Sequence, residues 1–306
     1  MEESSTEHQI RVEAFHYLIG LVDRHGEVLP LDSLRQGFQF RGQRVPLMGP
    51  QGIFKPAALD LPLSITTVPV VPGHPRPYED ALGGEGFLQY RYRGDDPNHR
   101  DNRGLREVMR LRLPLIYFYG VERSRYLPQW PVFIVGDNPQ RLSFTVQVDD
   151  QFASDSEEAY ELPDVARRAY VTRLSRQRLH QAAFRFRVFR AYQNSCAMCK
   201  LHHTDLLDAA HIIPDRDPRG EPTTSNGLAL CKLHHAAFDR NIVGIRPDSI
   251  LEIRHDVLDE IDGPMLRHGL QDLNGRRLLV VPRATPDRPD VGFLQERYEV
   301  FRAASA

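Results

Sequence analysis

The sequence predicts a two-domain α+β protein: a β-rich N-terminal half, a basic helical linker and a C-terminal ββα module stapled by Cys/His pairs. Three observations carry that expectation. Short strand-like runs, one of them clearly alternating, crowd residues 87–148. An arginine-rich stretch with no acidic residue follows at Val165–Ser195. Beyond it, all three cysteines of the chain fall into two close pairs.

Length and composition set the frame. A chain of 306 residues suggests two domains, at roughly 150 residues each, and each half is long enough to bury its own core. With 41% apolar and 26% charged residues the composition is that of a globular protein, not a disordered one. The formal net charge of −2 gives no global signal for nucleic acid, so any such charge must be local. No apolar run reaches the length of a membrane span. The opening MEESSTEHQIRVEAF has neither the basic start nor the apolar stretch of a signal peptide. A cytoplasmic protein is the default expectation. Three cysteines, an odd number in such a chain, argue against a disulfide framework and for metal binding or reactivity.

Taking the elements in order, residues 8–23 carry apolar side chains at helical spacing. Glycine and proline break the chain from Glu27 to Thr67, and four prolines make Val68–Tyr78 an extended loop. Strands are expected at Phe87–Tyr92, Leu115–Tyr119, Val132–Val135 and Leu142–Val148, with a helix at Asn102–Arg112. The acidic, polar stretch 149–164 suits a domain boundary. This divides the chain into an N-terminal domain at 1–150, a linker at 151–190 and a C-terminal domain at 191–306. The linker's arginines include Arg173, Arg176, Arg178, Arg185 and Arg187, interleaved with apolar residues as in a helix. One reading is a solvated basic helix on an apolar stripe; the other is an element that contacts phosphates.

Cys196 and Cys199 form a C-x2-C pair, and Cys231 and His234 a C-x2-H pair. Each two-residue gap lets both side chains bend around one ion, and the four are the ligand types of a tetrahedral structural zinc site. With four protein ligands no position stays open for water, so the expected Zn2+ is structural.

Between the pairs lies Asp208-Ala-Ala-His211-Ile-Ile-Pro214. Asn226 comes fifteen residues after His211, His235 nine after Asn226, and Asp239 four further on. This His…Asn…His order, with "LLDAAHIIP" and "SNGLALCKLHHAAFD" around it, resembles the HNH (ββα-metal) endonuclease family. The likeness is close over residues 191–250. It implies a first strand at Leu206–Ile213, a second at Gly227–Leu230 and a helix at Lys232–Arg240. It also implies a phosphodiesterase site using Mg2+ or a similar ion. His211 would take a proton from water, which a neutral imidazole suits. His235 and Asp239, at i and i+4, share one helix face and would hold the ion. By the same resemblance Asn226 would hold its loop or orient His211. The sequence departs from the family at Ala210, where many members carry a metal ligand. Asp208 has the same strand parity and would supply the missing carboxylate. His234, three residues after Cys231, fits the zinc, and His235, nine after Asn226, fits the catalytic ion; neighbouring helical residues point about 100° apart, so one His does not serve both sites.

In the N-terminal half, Leu88–Asp137 distantly resembles the SRA domains, PUA-like β-barrels that read modified cytosine by flipping it. Gly94, Asn102–Leu105, Pro114–Tyr117, Tyr126 and Trp130 carry the likeness. A flipped base needs aromatic walls and polar groups. Tyr90, Tyr92, Asp95, Asp96 and Asn98 are candidates; the plainer reading makes the tyrosines core and the Asp-Asp-Pro-Asn stretch a turn.

The expectation is thus a restriction-like endonuclease acting on double-stranded DNA, directed to methylated or hydroxymethylated cytosine, and homodimeric at least on DNA, since two strands need two sites. The alternatives are a nuclease with no modification dependence, a modified-DNA binder with a degenerate HNH centre, favoured by Ala210, and a nuclease acting on RNA or serving as a toxin.

Overall fold

The computed structural model describes residues 2–68, 88–148 and 164–305; for residues 2–5 and 164–177 it describes the backbone alone. The expected loop at Val68–Tyr78 and the acidic stretch at 149–164 lie almost wholly outside these residues. The chain divides into two compact units, one up to Leu179 and one from His180. Among the described residues no helix is long and apolar enough to cross a membrane.

The first unit opens with helix α1 (Glu2–His25), longer than the periodicity alone suggested. Ile10, Ala14, Leu18 and Leu21 form its buried stripe. Arg11 is also fully buried, because its guanidinium donates to the carbonyls of Pro114 (2.8 Å) and Pro62 (3.0 Å) and to Glu7 (2.7 Å). A buried cation is tolerated only with such partners. The broken stretch after α1 forms β1 (Leu29–Pro30), helix α2 (Leu31–Gln36), β2 (Phe38–Phe40), β3 (Gln43–Val45), β4 (Ile53–Phe54) and β5 (Ser64–Thr66). Then come β6 (Leu88–Arg91), α3 (Arg100–Leu111), β7 (Leu115–Glu122), β8 (Arg125–Asn138) and β9 (Ser143–Val148).

A seven-stranded sheet runs β4-β5-β7-β8-β9-β6, with β1 also on β8. β5 and β7 are parallel, and the other pairs are antiparallel. The strand expected at Val132–Val135 is part of a 14-residue one. Pro128 and Pro131 hide its first half, since proline within a run argues against a strand. Yet Pro128 pairs with Phe118, and bulges flank this stretch of the ladder.

Helix α4 (Asp164–Ala191) contains the basic segment as one helix. The boundary between units therefore falls within this helix, not in the acidic stretch before it. The second unit holds β10 (Leu207–His211), β11 (Gly227–Cys231), α5 (Lys232–Asp239), β12 (Val243–Ile245), β13 (Leu251–Ile253), α6 (His255–Asp259), α7 (Pro264–Gly269) and α8 (Val291–Ala304). Its core draws on Phe184 and Val188 of α4, Tyr192 just past that helix, the β10–β11 hairpin and Phe238 of α5. The two strands and the following helix are the expected ββα unit, with ends shifted by one or two residues.

Candidate active site

The β10–β11 ladder runs from Leu207↔Cys231 to His211↔Gly227, which places its two ends next to different chemistry. At the Cys231 end the zinc candidates meet. The ligand atoms of Cys196, Cys199, Cys231 and His234 all lie within 4.8 Å of one another. His234 Nδ1 is 3.1 Å from Cys231 Sγ and 3.4 Å from Cys196 Sγ, and its Nε2 donates to the Gly269 carbonyl at 2.8 Å. That outer hydrogen bond orients the imidazole with Nδ1 toward the sulfurs.

The electrostatics fit a cation. Hydrogen bonds from the Cys199 and Cys231 thiols hold the Cys196 thiol far down, as a thiolate, while the same sharing pushes Cys199 up. Burial works against a charged His234, but the Cys196 and Cys231 sulfurs more than offset it and push its pKa up to about 10. Three sulfurs and one nitrogen gathered around a point that attracts positive charge are a donor set for zinc.

At the other end sits His211, half-buried as the last residue of β10. Its ring stacks on Phe184 of α4, with centroids 4.1 Å apart and planes 18° from parallel. Burial pulls the His211 pKa down; Asp215 opposes the shift and His235 adds to it. The imidazole is thus neutral at pH 7, as a proton acceptor must be. Among the described residues its Nε2 is buried with no hydrogen-bond partner, which leaves Nδ1 as the nitrogen available to a reacting molecule.

Asn226 is fully buried and does not face a reacting group. Its Oδ1 accepts from the Ile213 N–H (2.8 Å), and its Nδ2 donates to the carbonyls of Ile213 (3.0 Å) and Glu221 (3.1 Å). Its own carbonyl accepts from the Ile212 N–H at 2.9 Å. This one side chain clips the chain immediately after His211 to the turn that leads into β11.

His235 lies between two carboxylates. Asp208 Oδ2 is 3.1 Å from Nδ1, and Asp239 Oδ2 is 3.4 Å from Nε2. Asp208 of β10 therefore does face His235 of α5, as its strand parity suggested, while Ala210 is buried in the core. The three groups do not converge on one point, since the carboxylates sit at opposite nitrogens of one ring. Asp208 also takes Lys232 Nζ at 2.5 Å and lies 3.6 Å from Arg185. Burial alone would raise the Asp208 pKa, but Lys232 and His235 outweigh it and hold the carboxyl below its usual range. Neither cation was singled out at this carboxylate from sequence; Lys232, directly before the Leu-His-His triplet, was the available signal.

The linker arginines divide. Arg185 stacks over Phe189 (4.5 Å) and donates to the Thr204 carbonyl (3.1 Å), and Arg187 donates to the Pro222 carbonyl at 3.0 Å. Arg178 is exposed; the side chains of Arg173 and Arg176 lie outside the described residues.

The model of the HNH endonuclease family matches residues 196–246. These residues form an HNH endonuclease domain. The match spans the Cys/His cluster, His211, Asn226 and the Asp208–His235–Asp239 group. No curated protein matches the chain. Among solved structures, the modification-dependent TagI restriction endonuclease is similar at 17% identity, over 78% of this chain and 80% of that one, with a TM-score of 0.30.

The first unit carries a separate cavity of about 270 Å³, lined by Gln51, Gly52, Thr66, Thr67, Tyr90, Tyr92 and Arg93 among others. Tyr90 donates to the Thr66 carbonyl (3.3 Å), and Arg93 donates to Gln51 (2.6 Å). The structure brings Tyr90 and Tyr92 to this cavity, but not Asp95, Asp96 or Asn98. Asp96 Oδ1 accepts from the Asn98 N–H at 2.8 Å, a turn that precedes α3. Gln51, Thr66 and Thr67 come from strand ends far away in sequence, and no local pattern marks them.

Proposed function

We propose that this protein is a metal-dependent endonuclease that hydrolyses phosphodiester bonds of double-stranded DNA. The HNH domain does the chemistry and the N-terminal unit selects the target. The observation that carries the reading is the disposition within the HNH domain: a neutral, half-buried His211 on the same hairpin as an Asp208–His235 pair.

In this mechanism His211 Nδ1 accepts the proton of the attacking water while Asn226 keeps the chain after His211 in register. Asp208 and His235 Nδ1, on facing elements, would hold the divalent ion, and Asp239 on Nε2 would orient the ring. Carboxylate and imidazole together suit Mg2+, Mn2+ or Zn2+. When bound, such an ion neutralises charge on the phosphate and stabilises the leaving oxygen. Lys232 and Arg185 add positive charge beside Asp208, where a phosphate must approach. The Cys196, Cys199, Cys231 and His234 set takes a structural zinc.

For the target, the cavity of the N-terminal unit supports a modified-base reader. It joins tyrosine rings to amide, hydroxyl and guanidinium groups, the combination an extruded base needs. Cutting both strands requires two sites, so two copies act on one duplex.

The test is cleavage of matched plasmids carrying cytosine, 5-methylcytosine or 5-hydroxymethylcytosine, with Mg2+, Mn2+ or chelator. Metal-dependent cutting of modified DNA alone, lost in His211→Ala, is expected. Equal cutting of all three plasmids removes the modified-base reading and keeps the nuclease. Binding without cutting under every metal removes the nuclease and leaves a DNA-binding module.

A further inference from the structure

His211 differs from most catalytic histidines in how its ring is held. A base is usually oriented by a hydrogen bond at its second nitrogen. Here Nε2 is buried without a partner among the described residues, so none of them supplies such a bond. What the ring does have is a face-on neighbour: Phe184, with centroids 4.1 Å apart and planes 18° from parallel.

The surroundings are built for that stack. Phe184 and Val188 of α4 and Tyr192 just past its end recur every four residues and so form one stripe; each is buried. The stripe meets β11 at Gly227, the residue paired with His211 across the hairpin. A Cβ on Gly227 would lie 2.4 Å from Val188 Cγ2 and 3.0 Å from Phe184 Cε2 and Cζ. Only a residue without a side chain lets the helix come this close to the catalytic strand pair. Tyr192 then ties the stripe to the same point, its hydroxyl donating to the Gly227 carbonyl at 3.2 Å.

We infer that Phe184 is a positioning residue for the nuclease reaction: its ring, seated against Gly227, sets the plane of the His211 imidazole. This rests on the reading of His211 as the base. A ring held only by its χ angles samples orientations in which Nδ1 misses the attacking water, and small misplacements of a reacting group are costly in rate. The stack acts on turnover and leaves DNA affinity alone, because Phe184 is enclosed and offers nothing to a phosphate.

The experiment compares wild type, His211→Ala, Phe184→Leu and Leu294→Val in steady-state cleavage with Mg2+. Leu294, buried in α8, serves as a control for plain core loss. Histidine side-chain proton spectra are recorded alongside. Wild-type cleavage that survives in His211→Ala would overturn the base reading itself. With that base established, Phe184→Leu is expected to lower kcat by about tenfold to a hundredfold at unchanged KM. The upfield ring-current shift of the His211 C–H protons should disappear in the same variant. Leu294→Val should lose comparable thermal stability and keep kcat within about twofold. Should Phe184→Leu not fold, Gly227→Ala tests the stack from the β11 side and is expected to give the same two signatures. A kcat for Phe184→Leu no lower than that of the control, or a wild-type spectrum with no ring-current shift at His211, overturns the inference.

Discussion

Two buried asparagines do the same mechanical work in the two units, and their surroundings differ. Asn102 of α3 accepts from the Arg93 N–H at 2.9 Å and donates to the carbonyls of Arg93 (3.2 Å) and Asp96 (2.9 Å). Asn226 makes the equivalent three bonds, to Ile213 twice and to Glu221. Each is fully buried and clips a loop whose backbone groups would otherwise go unpaired. The loop held by Asn226 starts next to His211, so its geometry bears on the proposed base. The loop held by Asn102 starts at Arg93, on the wall of a cavity, so its geometry bears on what that cavity admits. On the proposed function, one structural device would serve chemistry in one unit and selection in the other.

The largest expected break between the units comes from metal removal. The core of the second unit contains Cys196 and Cys231, whereas the first unit has no part in the cluster. Structural zinc sites in small modules contribute about 10–16 kcal/mol of apparent binding free energy, more than a domain's whole stability. A strong chelator, or Cys231→Ser, should unfold the second unit while the first stays folded. Trp130, the single tryptophan of the chain, lies in the first unit and reports on it alone. Far-UV circular dichroism should fall while Trp130 fluorescence holds. Simultaneous loss of both signals would mean that the units fold as one.

Next in size is the pair of asparagine variants. Asn102→Ala and Asn226→Ala each leave buried backbone groups unpaired and should cost about 1–3 kcal/mol, read as similar drops in melting temperature. Activity should separate them. Asn226→Ala is expected to lower kcat by about tenfold or more, since the chain after His211 is released. Asn102→Ala should leave kcat on modified DNA unchanged and blur discrimination between plasmids. Equal kcat losses in both variants would dissolve the distinction.

The same contrast explains what the sequence made legible. The candidate nuclease centre is local in sequence: residues 196–239 contain both Cys/His pairs, the proposed base, the loop clip, and His235 with both of its carboxylates. Strand parity puts Asp208 on the side of Ala210, and the spacings from Cys231 and from Asn226 assign His234 and His235 to different clusters. The cavity of the first unit is assembled from segments near 51, 66 and 92, brought together by a sheet whose order departs from the chain order. Tyrosine could be proposed for a base pocket by its type, but Gln51 and Thr67 have no local signature. Asp95, Asp96 and Asn98 were attractive as polar groups, and the local turn chemistry of Asp and Asn accounts for Asp96 and Asn98. Phe184 read as core from its periodicity. Its position against His211 depends on Gly227, forty-three residues away in sequence, and such a contact is a property of the fold.

A smaller effect would sharpen the cavity assignment. A Cβ at Gly52 would lie 3.0 Å from the Tyr90 hydroxyl and 3.4 Å from the Thr66 carbonyl, both on the lining. Gly52→Val therefore fills the cavity from its own wall. Cutting of the modified plasmid should fall by about fivefold to tenfold, the scale of one lost base contact, with the unmodified plasmid still uncut. Undiminished cutting of the modified plasmid would place target reading elsewhere.

The smallest expected effect concerns the proton on His211. Burial lowers its pKa beneath the ordinary imidazole value of about 6.5, so the neutral, competent form is already dominant at pH 7. Cleavage should rise with pH along a limb that lies below that value and stay flat between pH 7 and 8. The exposed Asp215 carboxylate acts in the opposite direction, favouring the protonated ring. Asp215→Asn removes that attraction, so the folded pKa falls further and the acid limb moves to lower pH. An exposed charge is screened by water, and the displacement should stay under about one pH unit. Movement of the limb to higher pH would mean that Asp215 acts on His211 by something other than its charge. No movement at all would place the rate-limiting proton on a different group.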